Sequence, residues 1–185
     1  MKTGGEAQLL VLFIISELPD EASLTELRSI LVSCGEFEPM DIDGYIDVLS
    51  GNGHIALSDS APAKARYDAG AEDTPERYVS ITPRGEAVTE AFSAEKQLCK
   101  GAINKALRQY KKLTCGIEYI ISLEKTVGGA YVHFEMLINE KSYFKTSLFF
   151  ADSHKALAVY NRMDENPDAI YNGFLTVATG DVEYL

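Results

Sequence analysis

The hydrophobic period of this chain changes from about 3.6 to 2 between Thr114 and Gly116 and holds there for three successive runs, so the two sides of that point cannot be layers of one repeating type. From Ile117 onward apolar side chains alternate: Ile117, Tyr119, Ile121 and Leu123, then Val132, Phe134, Met136 and Ile138, then Phe144, Leu148 and Phe150 with Thr146 among them. A period of two places each set on one face of a strand. Gly128-Gly129 predicts a tight hairpin turn, since glycine takes positive φ without strain. Asn139-Glu140-Lys141 separates the second run from the third, and three such runs predict an antiparallel meander. Asp152 or Ser153 then caps a helix carrying Ala156, Val159, Tyr160 and Met163. Asn166-Pro167 opens another with Ile170, Tyr171, Phe174 and Leu175. These two helices are expected to cover the inner face of the sheet.

Before the change the dominant period is helical. Ala7, Leu10, Val11, Ile14 and Leu18 form one stripe, and Leu9, Leu12 and Phe13 add apolar surface on other faces. Such a helix must be covered on more than one side, either at the centre of a core or against a second copy. Ser23 and Glu26 make an S-x-x-E capping box, and Leu24, Leu27, Ile30, Leu31 and Cys34 continue as a helical stripe closed by Gly35. Pro39 is expected to open a second helix reaching Asn52, with Ile42, Tyr45, Ile46 and Leu49 inward. Two alternating runs, His54–Ser58 and Tyr78–Ile81, flank a polar loop from Asp59 to Glu76. Thr82 and Pro83 start a helix expected to run to about Leu113. At 1.5 Å per residue it spans about 45 Å, too long for one small domain. It is expected to bend at Gly101, to join the halves, and to meet a second copy with its overhang.

Capped helix, turn, second helix, strand, long loop and strand is the order of a helix-turn-helix followed by a wing. With Ala7–Leu18 in front and Thr82-Pro83-Arg84-Gly85-Glu86 behind, this stretch resembles a bacterial winged-helix domain. With the strands at 117–150 and Lys155–Phe174, including Asn166-Pro167-Asp168-Ala169-Ile170-Tyr171, the whole chain is similar to an uncharacterised bacterial family, a domain-of-unknown-function family. The resemblance implies a transcriptional regulator. The fold class expected is α+β: an N-terminal winged helix-turn-helix over 1–81, a long linking or dimerisation helix over 82–113, and a C-terminal three-stranded meander covered by two helices over 114–185.

Charge bears directly on that function. The chain carries a net −11. Residues 1–93 hold six Lys and Arg against seventeen Asp and Glu, whereas residues 94–185 hold eleven of each. The excess lies in the half expected to meet DNA, in the direction that repels phosphate. The outward face of the second helix presents Met40, Asp43, Gly44 and Asp47 and no Lys or Arg. Asp43 and Asp47 are either a solvated acidic face or acceptors for cytosine amines. Gly44, which costs roughly 1 kcal/mol in a helix, implies a close backbone approach or a marginal helix. Cations on or beside the wing are Lys64, Arg66 and Arg77. Along the linking helix Lys96, Lys100, Asn104, Arg108 and Lys112 recur at every fourth residue, as solvated surface or as a partner for acidic surface that includes this chain's own first half.

In the second half Tyr131, Tyr143 and Phe149 share a strand parity away from the inner face, which suits cross-strand packing or an exposed ligand or partner surface. No catalytic, cofactor-binding or metal-binding pattern stands out: His54, His133 and His154 are scattered, and nucleotide or hydrolase glycine motifs are missing. Cys34, Cys99 and Cys115 contain no C-x-x-C pair and read as reduced, mostly core thiols. No apolar run approaches the roughly 20 residues of a bilayer span, nor is there a secretory signal. The sequence thus predicts a cytoplasmic winged-helix regulator, dimeric, not an enzyme and without cofactor, binding DNA weakly or through its wing. The alternative is a winged-helix module that contacts another protein without useful DNA affinity, with a C-terminal domain that senses a ligand or partner.

Overall fold

Helix α1 (Gly4–Glu17) buries Ala7, Leu10, Val11, Leu12, Phe13, Ile14 and Ile15, which is why its sequence is apolar on nearly every side. Those side chains are covered by the chain's own core, so the central-helix reading accounts for them without a second copy. The computed structural model describes residues 4–59 and 76–180. Among the described residues the protein is mixed α+β, with eight helices and two three-stranded antiparallel sheets. It divides into two units, Met1–Tyr110 and Lys111–Leu185. None of the described helices is long and apolar enough to cross a membrane.

In the first unit β1 (Ala22–Ser23), which the sequence did not reveal, leads directly into α2 (Leu24–Ser33). Ser23 caps α2 as expected: the Glu26 amide donates to Ser23 Oγ at 3.2 Å, and the Ser23 amide donates to Glu26 Oε2 at 2.8 Å. Gly35 takes φ 72° just past the helix. Pro39 does not open the next helix. The Asp41 amide donates back to the Glu38 carbonyl at 3.0 Å, closing a turn around Pro39. Helix α3 therefore runs Ile42–Gly51, with Asp41 at its cap. Strands β2 (Ile55–Ser58) and β3 (Tyr78–Ile81) pair antiparallel, and β1 adds to β3 through Ala22 opposite Val79, giving the order β1-β3-β2.

Thr82 ties β3 to α4 (Pro83–Ala91). Its amide donates to the His54 carbonyl at 3.1 Å, and its hydroxyl oxygen accepts from the Gly85 amide at 3.1 Å. Gly85 packs against β2 so closely that a Cβ there would stand 2.2 Å from the His54 carbonyl oxygen. The single long helix expected over 83–113 is instead three: α4, α5 (Ser93–Leu98) and α6 (Lys100–Cys115). The breaks fall at Phe92 and Cys99, not at Gly101. Four-residue amide-to-carbonyl bonds reach each break from both sides, Phe92 to Val88 (3.1 Å) and Lys96 to Phe92 (3.0 Å), then Cys99 to Glu95 (3.2 Å) and Ile103 to Cys99 (3.1 Å), so the chain bends at these residues without opening into a loop. Ile103, Ala106 and Tyr110 of α6 belong to the core that holds α1. The expected three-part division at 81 and 113 therefore gives way to one boundary after Tyr110, and the argument from an overhanging linker lapses.

In the second unit β4 (Ile117–Thr126), β5 (Gly129–Ile138) and β6 (Lys141–Phe150) form the expected meander, in the order β4-β5-β6. The first turn is Val127-Gly128, with Gly128 at φ 112°; Gly129 is already paired with Thr126. Gly129 is small for another reason: a Cβ there would stand 2.3 Å from the Phe150 carbonyl oxygen and 2.8 Å from the Phe149 ring. The second turn places Asn139 and Glu140 at φ 49° and 65°. A bulge at Tyr143 then shifts the register, so that Phe144 pairs with Met136 and Ser142 with Leu137. Ala130, Val132, Phe134 and Met136 are buried on the inner face under Ala156 and Met163 of α7 (Ser153–Glu165). Ile170, Tyr171 and Phe174 of α8 (Pro167–Thr179) pack onto the same cluster.

One polar connection fastens α8 to the sheet. The Tyr119 hydroxyl donates to Asp168 Oδ1 at 2.7 Å, and Lys111 Nζ lies 2.7 Å from Asp168 Oδ2. Burial, then the bond to Asp168, raises the Tyr119 pKa well above the usual phenol value. The protonated phenol therefore stabilises the fold below about pH 10, and that contribution is lost as pH rises toward the raised value. Asp168→Asn is expected to destabilise this unit by about 1 kcal/mol and to blunt its alkaline loss of stability. Denaturant unfolding of both proteins at pH 8 and pH 10.5 checks both effects.

Candidate functional site

The outward face of α3 was the candidate nucleic-acid surface. Met40 stands just before the helix and is 92% exposed. Asp43, Gly44 and Asp47 are all exposed. The face itself carries no Lys or Arg, but a cation reaches it from the neighbouring helix: Arg28, on α2, donates from Nε to Asp43 Oδ1 at 2.8 Å. The pair is 47% and 63% exposed, so it is worth well under 1 kcal/mol to the fold. Its consequence is electrostatic, since it holds the guanidinium of a nearby arginine against an aspartate. Among the described residues no atom outside the helix's own backbone lies within 4 Å of where a Cβ at Gly44 would stand, so none of them makes a close approach that the missing side chain would permit. Gly44→Ala should therefore stabilise the first unit by up to about 1 kcal/mol through helix propensity alone, read as a higher thermal midpoint.

Arg77 is exposed at the entry to β3, where its carbonyl accepts the Leu24 amide at 2.9 Å. Lys64 and Arg66 lie outside the described residues. The basic row on α5 and α6 is partly engaged within the chain: Lys96 pairs with Glu17 and Lys112 with Glu118. Two of the three thiols belong to the core, as expected, and the third does not. Cys34 is buried, Cys99 half-buried and Cys115 exposed. Among the described residues no group of His, Cys, Asp and Glu is arranged to hold a metal ion.

The second candidate is the outer face of the β4-β5-β6 sheet. Tyr131 and Phe149 are directly paired across β5 and β6, with ring centroids 5.0 Å apart, and are 38% and 52% exposed. Phe149 reaches over Gly129, covering the place where that glycine lacks a side chain. Tyr143, 68% exposed, sits at the bulge and shares no ring contact with the other two among the described residues. The three expected aromatics thus split into a packed pair and a separate tyrosine. Glu135, on the same face, accepts from Ser142 and from Lys145, and those bonds hold its carboxyl below the usual carboxylate range.

Beside the aromatic pair runs a polar row that motif reading missed, having treated the three histidines as scattered. His133 of β5 has Nδ1 2.8 Å from Ser147 Oγ of β6 and Nε2 3.1 Å from Glu124 Oε2 of β4. The imidazole stacks on Tyr131 at 16° with 5.9 Å between centroids. Each strand supplies one member. His133 and Ser147 are direct cross-strand partners, and Glu124, opposite Tyr131, reaches His133 on the diagonal. A carboxylate can only accept, so Nε2 carries the proton. With the ring neutral, Nδ1 is then the acceptor and the Ser147 hydroxyl the donor. No family model, curated protein or solved structure matches this chain.

Proposed function

We propose that this chain is a winged-helix transcriptional regulator whose contact with DNA is weak and carried by the wing. The observation that supports the reading is topological. A two-residue strand precedes a pair of helices and adds to the hairpin that follows them, giving β1-β3-β2 with α2 and α3 between β1 and β2. In winged-helix proteins this arrangement sets the second helix of the pair beside the wing, where the major groove is read. A second reading, docking on a protein, is favoured by α3 itself: Asp41, Asp43 and Asp47 are exposed and the adjacent Arg28 is held by Asp43. Against DNA that face adds repulsion without a backbone anchor. Salt-titrated binding to duplex DNA separates the readings. Affinity that falls steeply with salt supports the first, and no binding even at 20 mM salt supports the second.

A further inference from the structure

We infer that Ser147 is an activated hydroxyl that accepts an acyl group from an activated ester or thioester, with His133 as its base. The row on the outer sheet face is ordered for that step. Glu124 fixes the tautomer by accepting from Nε2, which leaves the Nδ1 lone pair facing a serine proton 2.8 Å away between heavy atoms. A serine is a poor nucleophile alone and becomes a useful one when a base stands within hydrogen-bond reach and a third group orients that base. Ser147 is exposed, as is the Glu124 carboxylate at 65%, while the His133 side chain is only 30% exposed. The serine is thus open to a reagent while the imidazole is held. Tyr131, stacked on the imidazole, and Phe149, two residues along β6 on the same face, offer an apolar floor for the acyl chain.

In the step, Ser147 Oγ adds to the acyl carbon and its proton passes to His133 Nδ1. The bond from carbon to the alkoxide or thiolate leaving group then breaks, and that group departs with the electron pair, taking a proton from the imidazolium or from water. The product is an ester at Ser147 and a free alcohol or thiol, with no oxidant or reductant required. An activated donor has a carbonyl reactive enough for the base to be the main help needed. Glu124 acts only through His133 and is a positioning residue. The other carboxylates on this face are each held by a lysine, Glu135 by Lys145 at 3.1 Å and Glu118 by Lys112 at 2.6 Å.

The test treats the full chain with p-nitrophenyl acetate and follows acetylation at Ser147 by peptide mass spectrometry, so that reaction at lysines and the exposed Cys115 does not enter. General-base help is worth about 100-fold or more, so His133→Ala should slow Ser147 acetylation by at least tenfold. Glu124→Ala should slow it several-fold, and Glu124→Gln, whose amide oxygen can still accept from Nε2, should restore most of the rate; a purely structural role at this exposed position would not separate the two variants. If a variant unfolds, the wild-type profile decides. A rate that rises through a single ionisation and then levels supports the inference. Ser147 left unmodified, modified at the same rate without His133, or modified at a rate that climbs with hydroxide and never levels overturns it.

Discussion

Gly85→Ala is expected to destabilise the first unit by about 2 kcal/mol, and to do so by adding a single methyl group. The added Cβ would stand 2.2 Å from the His54 carbonyl oxygen and 2.9 Å from Ile81 Cγ1. The nearer atom is backbone, and it cannot swing aside: His54 C=O accepts the Thr82 amide at 3.1 Å and lies 3.0 Å from the Thr82 hydroxyl. Relief therefore means parting β2 from the start of α4 and loosening the Thr82 cap. Overpacking costs about 1–3 kcal/mol, occasionally more; a backbone atom this close puts Gly85→Ala at the top of that range, about 3 kcal/mol, less the gain of about 1 kcal/mol that alanine brings to a helix. At Gly44 the same substitution meets open space, so the two variants should move in opposite directions. Hydrogen exchange read by peptide should show lost protection across α1 and β2 in Gly85→Ala, with β4 to β6 unchanged. Equal stability of Gly85→Ala and wild type would mean that β2 and α4 do not approach as described.

The T-P-R-G-E stretch was legible only in part: the roles of threonine and proline are local, whereas the need for glycine comes from His54, far back in the chain. Threonine caps and proline fits the first helical position. The Ser23–Glu26 box, Gly35 and the alternating strands were legible for the same reason, since neighbours in sequence cause them. What escaped notice depended on distant partners. β1 is two residues long and exists because β3 is there to pair with. The breaks at Phe92 and Cys99 occur in a run whose periodicity continues through them.

The bulge at Tyr143 shows how pattern and counting conflict. Counting from the Asn139-Glu140 turn without it puts Tyr143, Lys145, Ser147 and Phe149 on the inner face. The apolar pattern demands Phe144, Leu148 and Phe150 there instead, and the bulge is how the chain obeys the pattern. Only with that shift does Ser147 fall opposite His133, which is why the polar row could not be read from spacing. Arg28 and Asp43 are likewise fifteen residues apart, and the packing of α2 beside α3 makes them a pair.

That pair sharpens what charge substitution should do to DNA binding. Each phosphate neutralised by a lysine or arginine contributes about 0.9 to the slope of log affinity against log salt. With Lys64 and Arg66 as the main contacts, the double variant Lys64→Ala/Arg66→Ala should flatten that slope by roughly two and remove measurable binding at physiological salt. Asp43→Asn with Asp47→Asn should strengthen binding for two reasons. It removes two like charges from the approach to phosphate, and it frees the Arg28 guanidinium from the 2.8 Å contact that now occupies it. A freed Arg28 that reaches phosphate steepens the slope by about 0.9; adding Arg28→Ala to the asparagine variant should return the slope to its starting value. Salt-titrated binding to one duplex, across the wild type and these three variants, measures every term. Tight, sequence-specific binding by the wild type, lost on Asp43→Asn/Asp47→Asn, would reverse the argument. The carboxylates would then be accepting from cytosine amines in the major groove, and the acidic face of α3 would be the reading surface rather than the obstacle to it.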